Sequence, residues 1–288
     1  MSSRARRALV VAGTVALVAV AAGCAPESSD SSSGSAKAAS CTPGSLNTKA
    51  KGTLTVATDS PAYPPWFVDN KPANGKGYES AVAYAVARKL GYDKSKVTWT
   101  VVSFNTAIAP GPKQYDMDIN EFSISPERKK AVDFSSPYYD VRQTVVALKS
   151  STIAKATSVA QLKHAKLGAQ VGTTSYQAIT DDVHPSVKPQ VFSNNDDAKK
   201  ALQNGQIAGL VVDLPTAFEV TSEIDGSTIV GQLPKLSGRP EQFGIVLDKG
   251  SPLTGCVSKA VDGLRSDGTL AALQKKWLAD TAGAPELT

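Results

Sequence analysis

Short apolar runs alternate with helical patterns from Lys51 onward, and this alternation constrains the fold of the 288-residue chain more than any other feature. Such alternation is typical of βαβ units and a mostly parallel sheet. We therefore predict an α/β fold with strands at residues 53–57, 97–102, 118–122, 144–148, 167–171, 190–192, 210–212 and 243–247. The apolar spacing predicts a helix over 79–90, a second that starts at Ser251-Pro252, and a last helix carrying Trp277.

The composition of the chain excludes several kinds of site and partner. Three Cys and two His leave little room for a Cys/His metal cluster, and no nucleotide-binding, zinc-protease or nucleophile-elbow motif is present. We therefore predict no cofactor, no metal and no catalytic triad. Without Arg4, Arg6 and Arg7, 28 basic residues stand against 26 acidic ones, and they are scattered singly or in pairs. A nucleic-acid partner is not expected.

The N-terminus has the pattern of an export signal. A basic start and an uncharged run end at Cys24, which predicts a signal peptide over residues 1–23. The sequence Ala21-Ala22-Gly23-Cys24 resembles a bacterial lipobox, in which the cysteine is lipidated (palmitate and diacylglycerol), although Ala21 stands where Leu is usual. The alternative is ordinary cleavage after residues 19–21. Residues 25–40 contain seven Ser and no large apolar side chain, so 24–50 is predicted to be a tether.

Two further cysteines, Cys41 and Cys256, remain in an exported and therefore oxidising setting. Cys41 precedes the first predicted strand and Cys256 lies on a helix near the end of the chain. We predict a disulfide between them that joins the start of the fold to its end. The alternative is two separate buried thiols.

Residues that directly follow strands of an open α/β sheet are the candidates for ligand binding. After the first strand come Asp59, Tyr63 and Trp66 in a proline-rich loop, and Phe104 follows the second strand. These residues offer a charge and flat apolar faces, although such loops are often only packing and Asp59 could simply cap the loop.

Arg128 is the next candidate, in the segment that begins with Asn120, Glu121 and Ser123. Ser125 can cap a helix whose first turn contains Arg128. A cation is disfavoured at a helix N-terminus, so its presence indicates a bound anion, and guanidinium suits a carboxylate. The alternative is a surface arginine paired with Glu127 or Asp133.

In the second half, Gln170 leads through Gly172 to Thr173 and Thr174 at a helix start, which offers N–H groups and hydroxyls to a carboxylate. Asp213 ends an apolar run, where it could receive an ammonium or cap the following helix. Together the candidates complement a free amino acid.

Several of these segments, in this order, resemble the family-3 extracellular solute-binding proteins of bacterial ABC importers for polar amino acids. The resemblance covers about residues 52–279 and rests on Tyr63-Pro64-Pro65-Trp66, Gly77-Tyr78-Glu79, residues 123–128, Gly172-Thr173-Thr174 and Asp267-Gly268-Thr269-Leu270. It implies that Arg128 and Thr173 bind the ligand carboxylate, and that Asp213 and Ser123 bind the ammonium. It also implies that Tyr63 and Phe104 contact the side chain, while Asp59, Asn120, Glu121 and Gln170 select among side chains.

The family fold is a type II periplasmic-binding-protein-like α/β fold with two lobes, two hinge crossovers and the ligand in the interlobe cleft. The resemblance implies lobe 1 at 51–142 plus 241–288 and lobe 2 at 143–240. The chain would be a non-enzymatic, monomeric, lipid-anchored component on the extracytoplasmic face of the cell membrane. It would deliver an L-amino acid, basic or polar rather than aliphatic, to an ABC permease and its ATPase. The alternatives are a dehydratase-like enzyme on the same fold and a sensor-type receptor.

Overall fold

The computed structural model describes residues 41, 45–234, 241–278 and 283–288. The predicted signal peptide and Cys24 lie outside the described residues. Among the helices of the described part, none has both the length and the apolar character needed to cross a membrane.

The first of two five-stranded sheets, sheet 1, is formed by the early strands and one late strand. They are β1 (Leu54–Thr58), β2 (Val97–Val101), β3 (Met117–Asp118), β4 (Asp133–Phe134) and β12 (Val246–Leu247). The order is β2-β1-β3-β12-β4, with β1 parallel to β2 and β3, and β12 antiparallel to β3 and β4. The helices of this lobe are α1 (Tyr78–Lys89), α2 (Phe104–Ile108), α3 (Arg128–Ala131), α7 (Thr254–Ser266) and α8 (Thr269–Leu278). We call sheet 1 and its helices lobe 1.

Sheet 2 has the order β10-β6-β9-β7-β8 and, with its helices, forms lobe 2. Its strands are β6 (Gln143–Leu148), β7 (Leu167–Gln170), β8 (Gln190–Phe192), β9 (Gly209–Asp213) and β10 (Ser227–Gln232). The helices are α4 (Thr174–Ala178), α5 (Asn195–Gln203) and α6 (Leu214–Glu223), with a π-helical turn at Ile179–Val183. β7 is parallel to β8 and β9, whereas β6 is antiparallel to β9 and β10.

A two-stranded ribbon joins the lobes. β5 (Tyr139–Val141) leads into sheet 2, and β11 (Glu241–Phe243) pairs antiparallel with it on the way back to sheet 1. The chain therefore crosses twice between the lobes, and the predicted two-lobed α/β fold with two hinge crossovers is confirmed.

Each lobe has its own apolar core. Leu54, Val56 and Met117 of sheet 1 pack with α1, α7 and α8, and Phe104, Phe122 and Val246 form a second cluster in the same lobe. In sheet 2, alternate residues of β6 enter different clusters: Val145 and Ala147 join one, and Val146 joins the other. This alternation follows from the period of two along a strand. Helices therefore cover both faces of sheet 2.

The C-terminal tail, residues 283–288, packs on lobe 2. Glu286 forms a bridge with Gln232 of β10, and Leu287 is buried in a lobe 2 core cluster. Arg142 also donates two hydrogen bonds to the Glu286 carboxylate at 2.8 and 3.2 Å. The assignment of these last residues to lobe 1 was therefore wrong, because the apolar Leu287 side chain is buried against sheet 2.

Two of the predicted strands differ from the structure, and β4, β5 and β10 were not predicted. The segment 243–247 is split, because the chain changes partner at Gly244, from β5 to β3 and β4. The strand predicted at 118–122 is only β3, since the chain turns at Glu121, whose φ is 52°. β10 was not predicted, because its sequence STIVGQ combines polar ends with a glycine.

Gly77, at the start of α1, allows a stability prediction. Its φ is 96° and its ψ is 160°, and a Cβ there would lie 2.4 Å from the Trp66 carbonyl oxygen. Only glycine adopts this conformation without strain. We expect Gly77→Ala to lower the free energy of unfolding by about 2–3 kcal/mol. Urea unfolding measures this. The control is Gly255→Ala in α7, where the added Cβ has no atom within 4 Å apart from its chain neighbours and its own helix backbone. It should be neutral or stabilising, and equal effects of the two changes would contradict the prediction.

Candidate functional site

A cavity lies between the lobes, where the carboxyl ends of β1 and β3 face those of β7 and β9. Lobe 1 contributes Asp59, Pro61, Tyr63, Phe104, Asn120 and Glu121, and lobe 2 contributes Gln170, Thr173, Ser175, Asn195, Val212, Asp213 and Thr216. This is the position expected for a ligand site in open α/β sheets. Eight of the twelve predicted ligand residues line the cavity. The other four are Trp66, Ser123, Arg128 and Thr174, and they lie outside this lining.

Asp59 both caps a helix and lines the cavity. Its Oδ2 accepts a hydrogen bond from the Phe104 amide at 3.0 Å, at the start of α2, and its Oδ1 accepts from the Ser60 amide at 2.7 Å. Asp59 therefore does act as a cap, at the start of α2, and this contact holds its carboxylate at the cavity wall.

Trp66 is fully buried and links lobe 1 to lobe 2. Its indole Nε1 donates to Thr216 Oγ1 at 3.0 Å, and the Thr216 hydroxyl donates to Glu121 Oε2 at 2.9 Å. We call Trp66, Thr216 and Glu121 the cross-cleft relay. Because Thr216 belongs to α6 of lobe 2 and its two partners to lobe 1, the relay exists only when the lobes are close together.

Glu121 is held in its strained backbone conformation by Glu79. The Glu121 amide donates to Glu79 Oε1 at 2.6 Å, and the same oxygen accepts from the Tyr138 hydroxyl. Burial raises the pKa of Glu79 to about 7, although these two donors oppose the rise. Burial, and then the charges of Glu79 and Asp213, raise the pKa of Glu121 well above its usual range. Glu79 is thus a fully buried acid directly behind Glu121, which lines the cavity.

Arg128 is buried, and it forms no ion pair with Glu127 or Asp133. Its Nη1 donates to the Ser123 carbonyl at 2.7 Å and its Nη2 to the Gly172 carbonyl of lobe 2 at 3.0 Å. The guanidinium carbon lies 5.3 Å from the centre of the Phe104 ring, which lines the cavity. Burial lowers the pKa of Arg128 to about 10, which leaves it protonated at neutral pH. The surface-pair alternative is wrong.

The turn after β7 has the predicted helix start. Thr173 is the N-cap of α4: its hydroxyl accepts from the Tyr176 amide at 3.2 Å and donates to the Gln170 carbonyl at 2.7 Å. Gly172 has a φ of 75°, and a Cβ there would lie 2.4 Å from Asn105 Oδ1 of lobe 1. The glycine therefore permits the close approach of the two lobes at this edge of the cavity.

Asp213 occupies the N-cap position of α6, but its side chain does not cap that helix. Instead its Oδ1 accepts from Gln143 Nε2 at 2.7 Å, and the residue lines the cavity. Burial, and then the charge of Glu241, raise the pKa of Asp213 well above its usual range. The capping alternative is wrong, and the carboxyl group remains available at the cavity wall.

Tyr63 already has a cation against its ring. Lys199 Nζ of lobe 2 lies 4.9 Å from the ring centre and is itself paired with Glu223 at 2.6 Å and Asp196 at 3.1 Å. One face of the ring therefore contacts a protein ammonium.

Sequence reasoning missed several residues of the site. Pro61, Ser175, Asn195, Val212 and Thr216 line the cavity, and Gln143 and Glu241 contact the predicted residues behind it. Thr216 could have been found from its position three residues after the predicted residue Asp213, in the first turn of the helix that follows. Gln143 and Glu241 lie at the two crossovers, and that placement was the only sequence signal for them. In residues 41, 45–234, 241–278 and 283–288, no group of three or more His, Cys, Asp or Glu side chains could hold a metal ion.

Comparison with known proteins identifies the class to which this fold and cleft belong. Residues 54–280 match the bacterial extracellular solute-binding proteins, family 3, and the chain belongs to this family. The predicted family and the type II fold are thereby confirmed.

Individual relatives agree with the family match. The ABC transporter arginine-binding protein 1 of Escherichia coli (strain K12) is 29% identical over 227 residues, which are 76% of this chain and 88% of that protein. Among solved structures, an ancestral arginine-binding protein bound to arginine has a TM-score of 0.65 at 34% identity, covering 78% of this chain and 98% of that one. The ancestral amino acid-binding protein AncCDT-1, a precursor of cyclohexadienyl dehydratase, has a TM-score of 0.65 at 31% identity, covering 78% and 95%.

Proposed function

We propose that this chain is the extracytoplasmic solute-binding component of an amino-acid ABC importer, and that its solute is an L-amino acid with a cationic side chain. The observation that carries the proposal is the charge of the cavity wall. Asp59, Glu121 and Asp213 line it, and no Lys, Arg or His is found among the described lining residues. Arginine binding by one curated relative and by a solved structure supports the same choice.

The three carboxyl groups suit a ligand with two cationic groups and one anionic group. Asp213 would receive the α-ammonium, and Asp59 and Glu121 the cationic side chain, with Phe104 against its apolar part. Arg128 would bind the α-carboxylate. Two of its five N–H groups donate to carbonyls, and the others have no partner among the described residues. Thr173, beside Gly172, would help at the same end, while Asn120 and Gln170 would contact the side chain.

The cellular setting belongs to the same proposal. Cys24 would carry the lipid that holds the protein at the outer face of the cell membrane, and the protein would act as a monomer that presents the loaded, closed form to the permease. The lobes would span 51–142 plus 241–278, and 143–240 together with the tail 283–288.

Titration calorimetry with the twenty common amino acids, together with ornithine and citrulline, tests the proposal. We expect arginine, lysine or ornithine to bind most tightly. Citrulline is the matched control for arginine, because it keeps the shape of the side chain and lacks its charge. Tightest binding of glutamate, equal binding of citrulline and arginine, or no heat with any amino acid would contradict the proposal.

Binding of such a ligand should release protons. Burial raises the pKa of both Glu121 and Asp213, and a bound cation would lower both values by favouring the ionised form. Affinity should therefore fall as the pH falls through the range in which these groups titrate in the free protein, and level off above it. Calorimetry in buffers of different ionisation enthalpy counts the protons. Glu121→Gln should release fewer protons, and proton uptake by the unaltered protein would contradict the prediction.

A second candidate is a dehydratase-like enzyme, which the likeness to AncCDT-1 favours. The protonated form of Glu121 would be its general acid. Incubation with prephenate and arogenate, followed by detection of the aromatic product, separates the two functions. We expect no turnover, and turnover that Glu121→Gln abolishes would replace our proposal with this one.

A further inference from the structure

Glu241 is a carboxylate at the return crossover, and it is not among the ligand contacts proposed above. It begins β11, and both of its oxygens accept hydrogen bonds within the interlobe region. Ser123 Oγ donates to Oε1 at 2.5 Å, and Gln143 Nε2 donates to Oε2 at 3.0 Å. Glu241 thus touches lobe 1 through Ser123 and lobe 2 through Gln143.

These contacts are part of a closed ring of hydrogen bonds. Ser123 Oγ lies 3.1 Å from Thr174 Oγ1, and Gln143 Nε2 lies 3.4 Å from the same Thr174 oxygen. The ring therefore runs from Glu241 through Ser123, Thr174 and Gln143 back to Glu241, and we call it the hinge ring. Its members come from the loop after β3, from β6, from α4 and from β11. Because Ser123 and Thr174 belong to different lobes, the ring closes only when the cleft does.

The number of hydrogens available fixes the direction of each bond in the ring. A carboxylate only accepts, so the single hydroxyl hydrogen of Ser123 is donated to Glu241. The Thr174 hydroxyl must then donate to Ser123 Oγ, and the Gln143 amide to Thr174 Oγ1. Ser123 Oγ accepts one bond from Thr174, and its second lone pair remains as an acceptor.

Gln143 connects the hinge ring to Asp213. Gln143 Nε2 also donates to Asp213 Oδ1 at 2.7 Å, so its two hydrogens are shared among three acceptors. Gln143 Oε1 is buried and has no hydrogen-bond partner. The groups joined through Gln143 therefore present acceptors: the Ser123 lone pair, the Asp213 carboxylate and the Gln143 carbonyl. An ammonium, which has three donors and no acceptor, complements such a set.

We infer that Glu241 is a positioning residue that orients the Ser123 hydroxyl as an acceptor and thereby makes this end of the cleft selective for the α-ammonium of the ligand. The inference rests on the proposed function, in which Asp213 receives the α-ammonium, and it adds Ser123, which the family resemblance implies as the second ammonium partner. Without the Glu241 carboxylate, the Ser123 hydroxyl is free to rotate and to donate, and the site loses one oriented acceptor.

The test is a double-mutant cycle with L-arginine as the probe. Glu241→Gln should weaken arginine binding about 10-fold, the effect of one hydrogen bond to a charged group. In the Ser123→Ala background, Glu241→Gln should have little further effect, because no hydroxyl remains to be oriented. Glu127→Gln, an exposed change of equal charge in the Arg128 segment, should leave the affinity unchanged.

A second probe separates orientation from general damage. Arginine without its α-amino group, 5-guanidinopentanoate, should bind the unaltered protein and Glu241→Gln with the same weak affinity in competition titrations. An equal loss for both ligands, or additive effects of the Ser123 and Glu241 changes, would overturn the inference and leave the proposed function intact. No arginine, lysine or ornithine binding by the unaltered protein would overturn the proposed function as well. If Glu241→Gln does not fold, Glu241→Ala in the same cycle also removes the carboxylate and tests the same coupling with Ser123.

Discussion

Replacing Arg128 with alanine is expected to weaken binding of the cognate amino acid about 1,000-fold. The guanidinium is buried and protonated, and two hydrogen bonds to the ligand carboxylate would contribute about 3–6 kcal/mol together. The neighbouring acids Asp213 and Glu241 would then face the ligand carboxylate without a cation nearby. Calorimetry measures the affinity, and the ligand-induced rise in melting temperature should disappear.

Arg128→Lys is the matched control, because it keeps the charge and loses the planar two-pronged geometry. We expect an intermediate loss of about 100-fold. In both variants the unliganded protein should also lose some stability, because Arg128 donates to the carbonyls of Ser123 and Gly172. Unchanged affinity in Arg128→Ala would disprove the carboxylate role.

Removing the disulfide should have the largest effect on stability. Cys41 and Cys256 form the predicted bond in the structure, and they are 215 residues apart in sequence. Closing so long a loop reduces the entropy of the unfolded chain by an amount worth about 5 kcal/mol on the chain-entropy model. We expect the Cys41→Ser, Cys256→Ser double variant to lose about that much in urea unfolding, and reduction of the unaltered protein to have a similar effect.

The affinity for the ligand should not change with the disulfide. Cys256 lies in the lobe 1 core with Cys41 packed against it, and neither residue lines the cavity. A melting midpoint that does not move on reduction would contradict the stability prediction. A large change in affinity at temperatures where both forms are folded would show that the bond acts on the cleft.

Sequence patterns predicted those parts of the molecule that depend on local periodicity. The apolar run of β6 and the apolar stripe of α1 identified core elements, and the positions of Asp59 and Asp213 at the ends of strands identified two of the three acidic residues that line the cavity. Contacts between segments that are far apart in the sequence could not be predicted. The partner of the Glu121 amide is Glu79, and the partner of Trp66 is Thr216, 150 residues further along the chain. The spacing of residues near either partner does not indicate these contacts.

The polar contacts at the hinge could not be predicted from the sequence either. Glu241 and Gln143 contact each other because two crossovers bring the starts of β11 and β6 together. Nothing in the neighbourhood of either residue indicates a polar cluster. The tail was misplaced for a related reason, since Leu287 packs on a sheet whose last strand, β10, was not predicted.

Trp66 has a spectroscopic consequence. Its indole is fully buried and donates to Thr216 of the opposite lobe, whereas Trp99 and Trp277 pack on the lobe 1 core. When the lobes separate, this donor loses its partner and meets water, so the emission of Trp66 should shift to longer wavelength. In a protein with the other two tryptophans changed to phenylalanine, the emission maximum would then report the open and closed populations directly. Closure could be followed in stopped flow without any attached dye.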